Sequence, residues 1–485
     1  MKWFSQLVVC FLCAVVTLPV CADETKTETP LATKLDFTND IIPILTKSGC
    51  NAGACHGAAV GRGGFKLSLY GGDPASDYDA IVREVHGRRV NLADADASLL
   101  ILKPTESIEH GGGHRFDIDS TSATQLREWI EHGVVQNSSR ELARVEVEPK
   151  NVQTRLDEPT QLRTTAFYSD GTSRDVTRWT IFKAEDSSAV EIDEEAAAKA
   201  KRRGRHLVIA RYLNHVIPVE LIVPLNERAV DLTKEPRLNF IDKAILTKLS
   251  ALHLPVSPLA DDATFTRRVT LDLTGRLPSA IPKQKVDRSK LIDDLLASHE
   301  FTEYWTWQLA KLLRVRTKVR SSSGTDQAGI ETYHAWLKQN VSRDTGYDEF
   351  ARMLLLAKGD SHELGPANFY RTVRGAREQA EFVSELFMGS RLRCANCHNH
   401  PLDRWTQDDY HGLAAIFAKI ESGQVIKAKP RGEVIHPRTG EAASTRIPGE
   451  QFLDADNADA RSALADWLTG EDNPYFAKAI VNRLW

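Results

Sequence analysis

Methionine and cysteine are scarce in this chain of 485 residues, which holds three of the first and seven of the second. Apart from Met1, the methionines are Met353 and Met388, so residues 36–135 cannot offer a thioether to a metal. A surplus of one charge is also missing. The formal net charge is −4, which argues against bulk nucleic-acid binding and against a polybasic membrane surface. Beyond the extreme N-terminus there is no apolar run of bilayer-spanning length, so no transmembrane segment is expected there. What remains is 42% apolar and 26% charged, ordinary for a globular protein. The length suits roughly three domains.

The first residues carry a signal of their own. Lys2 precedes the apolar "LVVCFLCAVV" of residues 7–16, and Val20, Cys21 and Ala22 precede the polar "DETKTETP". The run is too short to span a bilayer, and the order is that of a secretory signal. Residues 1–22 are expected to be removed and 23–35 to be a linker. The product would be exported, to the periplasm, the cell surface or the medium. Val20 is bulky for the position before a lipidated cysteine. Such processing leaves four cysteines, Cys50, Cys55, Cys394 and Cys397. In an oxidising compartment these would form disulfides, bind metal or attach a cofactor.

Both pairs end in histidine. "CANCH", residues 394–398, has the C-x-x-C-H form of covalent haem attachment, in which two thiols hold the porphyrin and His398 meets the iron. A C-x-x-C redox or disulfide pair is one alternative. A zinc site using His398 and His400 is another, with strained spacing. "CNAGACH", residues 50–56, has two more residues between the thiols. It reads as a second attachment site with His56 as proximal ligand, or as a Cys50–Cys55 disulfide loop. With no methionine near, the sixth ligand of the first site is a histidine, another weak donor or water. His110 in the glycine-rich "HGGGHRF" is preferred over His114 and His86. Asp403, Asp408 and Asp409 follow the second motif and could be catalytic, although acidic clusters on exposed helices usually serve solvation.

The pattern changes along the chain. Residues 36–137 contain two helices around glycine-rich turns. "FTNDIIPILTKSGC" should start at a Thr38 or Asn39 cap, and "SATQLREWIEHG" at Ser122, burying Leu126, Trp129 and Ile130 and stopping at Gly133. Residues 142–226 alternate as strands, with a hairpin at Asp170-Gly171, and suggest a small β-sandwich. From 236 to 422 helical periodicity dominates. Asp261 or Asp262 should cap a helix with Phe265, Val269 and Leu273 on one face, and "SKLIDDLLASHEFTEYWTWQLAKLLRVR" reads as helix throughout. Residues 452–485 end on an apolar-periodic helix without a stop signal, as expected of a fragment.

"CNAGACHGAAVGRGGFKLSLYGGDPASDYDAIVRE" and "HGGGHRF" resemble the cytochrome c-like domain of large secreted planctomycete-type proteins. "FYSDGTSRDVTRW" with "ARYLNHVIPVELIVP" resembles a bacterial Ig-like group 2 domain. "FTRRVTLDLTGRLP" and "CANCHNHPLDRWTQDDYHGLAAIFA" resemble that family's helical domain of unknown function, and "LADWLTGEDNPYFAKAIVNRLW" the start of a second such domain. The resemblance implies a multidomain fold: a small all-α cytochrome c-like domain, an all-β Ig-like sandwich, then a mainly α-helical domain. It implies haem c, two groups with the residues above, but no assigned reaction. The expected function is electron transfer with an unidentified redox partner. Two rivals stand beside it. One is a cell-surface protein with structural disulfides whose Ig-like domain binds polysaccharide or another protein. The other is a haem- or metal-dependent oxidoreductase.

Overall fold

The computed structural model describes residues 35–58, 60–136, 140–280, 284–315, 326–400, 403–454 and 459–485. The expected signal peptide and all of the expected linker except Leu35 lie outside them. A helical first region is followed by a β-rich region and then by a long helical region.

The first helix starts earlier than its sequence suggests. Asp36 is the cap, accepting from the Asn39 backbone N–H at 2.7 Å. A wide turn, Phe37–Ile41, leads into the helix Ile42–Lys47. Asn39 instead lies inside this turn, where its side-chain amide donates to Asp36 at 3.1 Å and to the Arg140 carbonyl at 3.0 Å. The second helix, Thr121–Glu131, is capped by Ser120 rather than Ser122. Its apolar face is the expected one: Leu126, Trp129 and Ile130 are buried, and Trp129 meets Phe37 at 5.5 Å between ring centroids. Gly133, at φ +84°, ends it.

Ten strands follow: β1 (Leu142–Glu148), β2 (Asn151–Gln153), β3 (Pro159–Gln161), β4 (Arg163–Tyr168), β5 (Ser173–Asp175), β6 (Ile181–Ala184), β7 (Val190–Ile192), β8 (Ala197–Ala200), β9 (Gly204–Tyr212) and β10 (His215–Val223). They form three sheets, ordered β1-β4-β5, β2-β10-β9-β6 and β3-β8-β7. The β4–β5 hairpin turns at Asp170-Gly171, where glycine takes φ +82°. One core lies among Val147, Leu162, Val208, Val219 and Leu221. Other strand residues, Ala166, Tyr168 and Tyr212, join Phe37, Ile41 and Trp129 of the first region in a shared core.

An ionic network crosses that shared core. Arg140 stands 3.4 Å from Asp36 and 3.3 Å from Asp40, and Arg174 of β5 pairs with Asp40. Both carboxylate side chains are only 1% exposed. The Arg140 guanidinium lies 4.4 Å above the Tyr168 ring, and Tyr212 donates to the Asn39 carbonyl at 3.1 Å.

The helical region begins with Phe240–Leu252 and Asp262–Thr274, the latter capped by Asp261. Its buried line is Thr266, Thr270 and Thr274, while Phe265, Val269 and Leu273 are half-buried beside it. The next segment, read as continuous helix, is broken. Ala297 ends Arg288–Leu296, and Ser298 caps His299–Leu312, accepting from Phe301 N–H at 3.1 Å. The main core gathers Leu337, Leu354, Phe369, Phe387 and Leu413. The helices Ala460–Thr469 and Phe476–Leu484 enter it through Leu464, Leu468 and Phe476. Arg461 is fully buried and donates to the Leu355 and Ala357 carbonyls, both at 3.2 Å. No helix among the described residues is long and apolar enough to cross a membrane.

Removing Arg140 would leave two buried carboxylates without their shared cation. Arg140→Ala is expected to lower unfolding stability by about 3–5 kcal/mol. Arg83→Ala, which breaks only an exposed pair with Asp79, should cost less than about 1 kcal/mol. Denaturant titration of both variants checks the contrast, and equal losses would refute the role given to Arg140.

Candidate functional site

The first cysteine motif begins where the helix Ile42–Lys47 stops. Gly49 takes φ +75°, and the Cys50 amide returns to the Leu45 carbonyl at 2.9 Å. The loop then folds on itself, with the His56 amide bonded to the Cys50 carbonyl at 3.0 Å. Gly57 is required there, since a Cβ would stand 2.1 Å from the Asn51 carbonyl oxygen. Cys50 is buried and Cys55 half-buried, both as free thiols. Burial pushes the Cys50 thiol up to about 11, against the opposing pull of Arg115. Arg115 also donates to the Cys55 sulfur at 3.3 Å.

His56 donates from Nδ1 to the Phe65 carbonyl at 3.1 Å and rests on the Phe65 ring. Burial lowers its pKa, so the imidazole is neutral at pH 7. That bond fixes the tautomer and leaves Nε2 as the unprotonated nitrogen. His110 has the same arrangement: its Nδ1 donates to the Gly113 carbonyl at 3.0 Å. Gly112 makes room for this, because a Cβ there would meet the His110 ring at 2.8 Å. The two imidazoles are 6.3 Å apart between centroids and 16° from parallel. His114 instead faces Asp117 at 3.1 Å, and His86 is exposed in a turn at φ +56°. Arg115 was not singled out from the sequence, although it lies in the same "HGGGHRF" stretch as His110.

The second motif is more open. The turn Leu392–Asn396 is anchored by fully buried Leu392 and Ala395, leaving the free thiols Cys394 and Cys397 exposed. His398 donates from Nδ1 to the Asn399 carbonyl at 2.7 Å. The His400 amide bonds to the Trp405 carbonyl at 2.7 Å, and burial lowers the His400 pKa while Asp403 opposes. Among the described residues, no group of three or more His, Cys, Asp or Glu side chains is arranged to hold a metal ion. Asp409 is not a solvated acid. It is buried in a capping box with Thr406 at the start of the helix Gln407–Ala418. Asp408 contacts His436 at 3.1 Å and Arg438 at 3.0 Å. Behind the motif lies fully buried His411, whose Nε2 donates to the Asn396 carbonyl at 3.1 Å and whose ring meets His436 at 4.8 Å. Burial pushes its pKa down to about 4. Neither His411 nor His436 has a sequence signature, and only packing reveals them.

The two motifs are linked through Asn399, next to His398. Its Nδ2 donates to the Gly72 carbonyl at 2.6 Å, and its Oδ1 accepts from Gln407 N–H at 2.9 Å. A Cβ on Gly72 would approach Asn399 to 3.1 Å, so the contact is close. The loop bearing Gly72 is held from below by Asp77, whose buried carboxylate accepts from the Ser68 backbone N–H and hydroxyl.

Asp77 generates a pH prediction. Burial raises its pKa to about 7, with the Ser68 bonds opposing and Asp73 adding. The unfolded value is about 4. The native chain therefore keeps a proton that the unfolded chain loses. This stabilisation is complete below about pH 4 and is lost as pH rises through about 7, a change on the order of 4 kcal/mol. Asp77→Asn should flatten the fall in stability across that window. Urea midpoints measured from pH 4 to 8 test it, and an unchanged slope in the variant would rule Asp77 out.

Residues 240–422 match the family described as PSCyt2, a protein of unknown function (DUF1549). No curated protein matches the chain. The helical region that carries the second cysteine motif is thus similar to a domain of unknown function.

Proposed function

We propose that this chain is an exported c-type cytochrome that carries covalently bound haem and transfers electrons. The observation behind this reading is the His56–His110 pair. Both rings have Nδ1 bonded to a backbone carbonyl, and they lie 6.3 Å apart and nearly parallel. His56 directly follows Cys55, so the thiols that would hold a porphyrin and the imidazole that would meet its iron lie on one loop.

Haem bound there would supply one-electron exchange at its iron. The residues would divide the remaining work. Cys50 and Cys55 would hold the group by thioether bonds, each thiol adding across a vinyl group with no leaving group. His56 and His110 would bind through Nε2. Arg115, within reach of Cys55, would brace the attachment loop against the stretch that carries His110. A pair of imidazoles lacks the thioether that raises potential in His/Met cytochromes, so this centre would be the more reducing kind. Cys394, Cys397 and His398 would hold a second haem on the exposed turn. The resemblance of residues 36–137 to cytochrome c-like domains supports the first site, and that of 142–226 to Ig-like domains supports display outside the cytoplasm.

Expression with export and c-type maturation machinery tests the reading. Intact mass should show two added haems, and Cys394→Ala with Cys397→Ala should remove one. His110→Ala should keep the mass but turn the first centre from low-spin to high-spin and admit carbon monoxide. A protein of unmodified mass with paired disulfides would overturn the proposal. A low-spin spectrum that survives His110→Ala would overturn the ligand assignment.

A further inference from the structure

A cavity of about 490 Å³ opens where the three regions meet. The first region contributes Tyr70 and Gly72, the β-rich region Arg211, and the loop after the second motif residues 399, 400 and 403–406. Nothing in the haem reading uses it.

Arg211 is the anomaly. It sits near the end of β9, is 9% exposed, and makes no ion pair with any described carboxylate. Its Nη2 has no hydrogen-bond partner among the described residues. The neighbour of its guanidinium is the Tyr70 ring, 5.2 Å away. A buried cation without a counter-ion is costly. Trp405 also contributes to the lining, but it is 1% exposed and its indole N–H is itself buried. A second arginine, Arg404, stacks 4.9 Å above Trp405 and has no described carboxylate partner. Tyr70 is placed against Arg211 by a left-handed backbone, φ +53°, that bulky residues seldom adopt. The lining also carries three acids. Asp36 belongs to the Arg140 network, Asp403 accepts from the Arg404 amide at 2.8 Å, and Glu141 is exposed at the rim.

We infer that this junction binds a small polar molecule through an oxyanion group, a carboxylate or a phosphate, seated against the Arg211 guanidinium. A planar fork of donors suits two oxygens on one centre. Because the walls come from all three regions, such a ligand would also tie them together.

Calorimetric titration of the full chain with inorganic phosphate and with citrate, at constant ionic strength in chloride, tests the site. At least one of the two should bind saturably, and which one does identifies the oxyanion. Arg211→Met should weaken that binding about tenfold or more. Arg211→Lys, which keeps the charge and loses the planar fork, should weaken it by several-fold. It supplies the test if Arg211→Met does not fold. The anion should raise the melting temperature of the parent chain and leave that of Arg211→Met unmoved. Absence of saturable binding by either anion, or binding that neither substitution weakens, would overturn the inference.

Discussion

The buried ionic contact of Arg140 with Asp36 and Asp40 governs how the first half of this molecule is built. Asp36 and Asp40 lie in the opening turns of the first region, and Arg140 lies just before the first strand. Two carboxylates almost without solvent exposure would repel each other and lose hydration if no cation stood between them. Arg140 and Arg174 supply that charge from the β-rich side, and Tyr168 covers it. The helical first region and the sheets therefore share an apolar core that continues across the boundary between them. The position of the Cys50–His56 loop follows from this, because the helix that leads into it is held by the same network.

The two cysteine motifs differ in surroundings as much as in spacing. At the first, one thiol is buried, both histidine rings are fixed through backbone carbonyls, and an arginine touches the second sulfur. At the second, the thiols face solvent, while the support lies behind them in His411, His436 and Asp408. A rigid, sheltered loop suits a centre whose ligands are already arranged. An exposed turn suits one that a partner must reach. The Asn399–Gly72 contact joins the loop after the second motif to the loop after the first, and the oxyanion cavity opens beside it.

The sequence by itself determined what depends on near neighbours. The period of Leu126, Trp129 and Ile130 marked a buried helix face, Asp170-Gly171 marked a hairpin, and Asp261 marked a helix start, each through bonds that span only a few residues. The change from strand alternation to helical periodicity likewise separated the β-rich region from the helical one. The Cys-Cys-His clusters were legible because their residues lie close together in the chain. Tertiary structure decided whatever depends on a partner far away in sequence. Asp36 caps the first helix, and Asn39 within it donates to the Arg140 carbonyl, 101 residues on. His110 rather than His114 stands beside His56 because the glycines let its loop fold back on itself. Arg211 reads in sequence as one more strand residue. Only the meeting of three regions buries its charge without a counter-ion, since burial and electrostatic pairing are properties of the assembled fold.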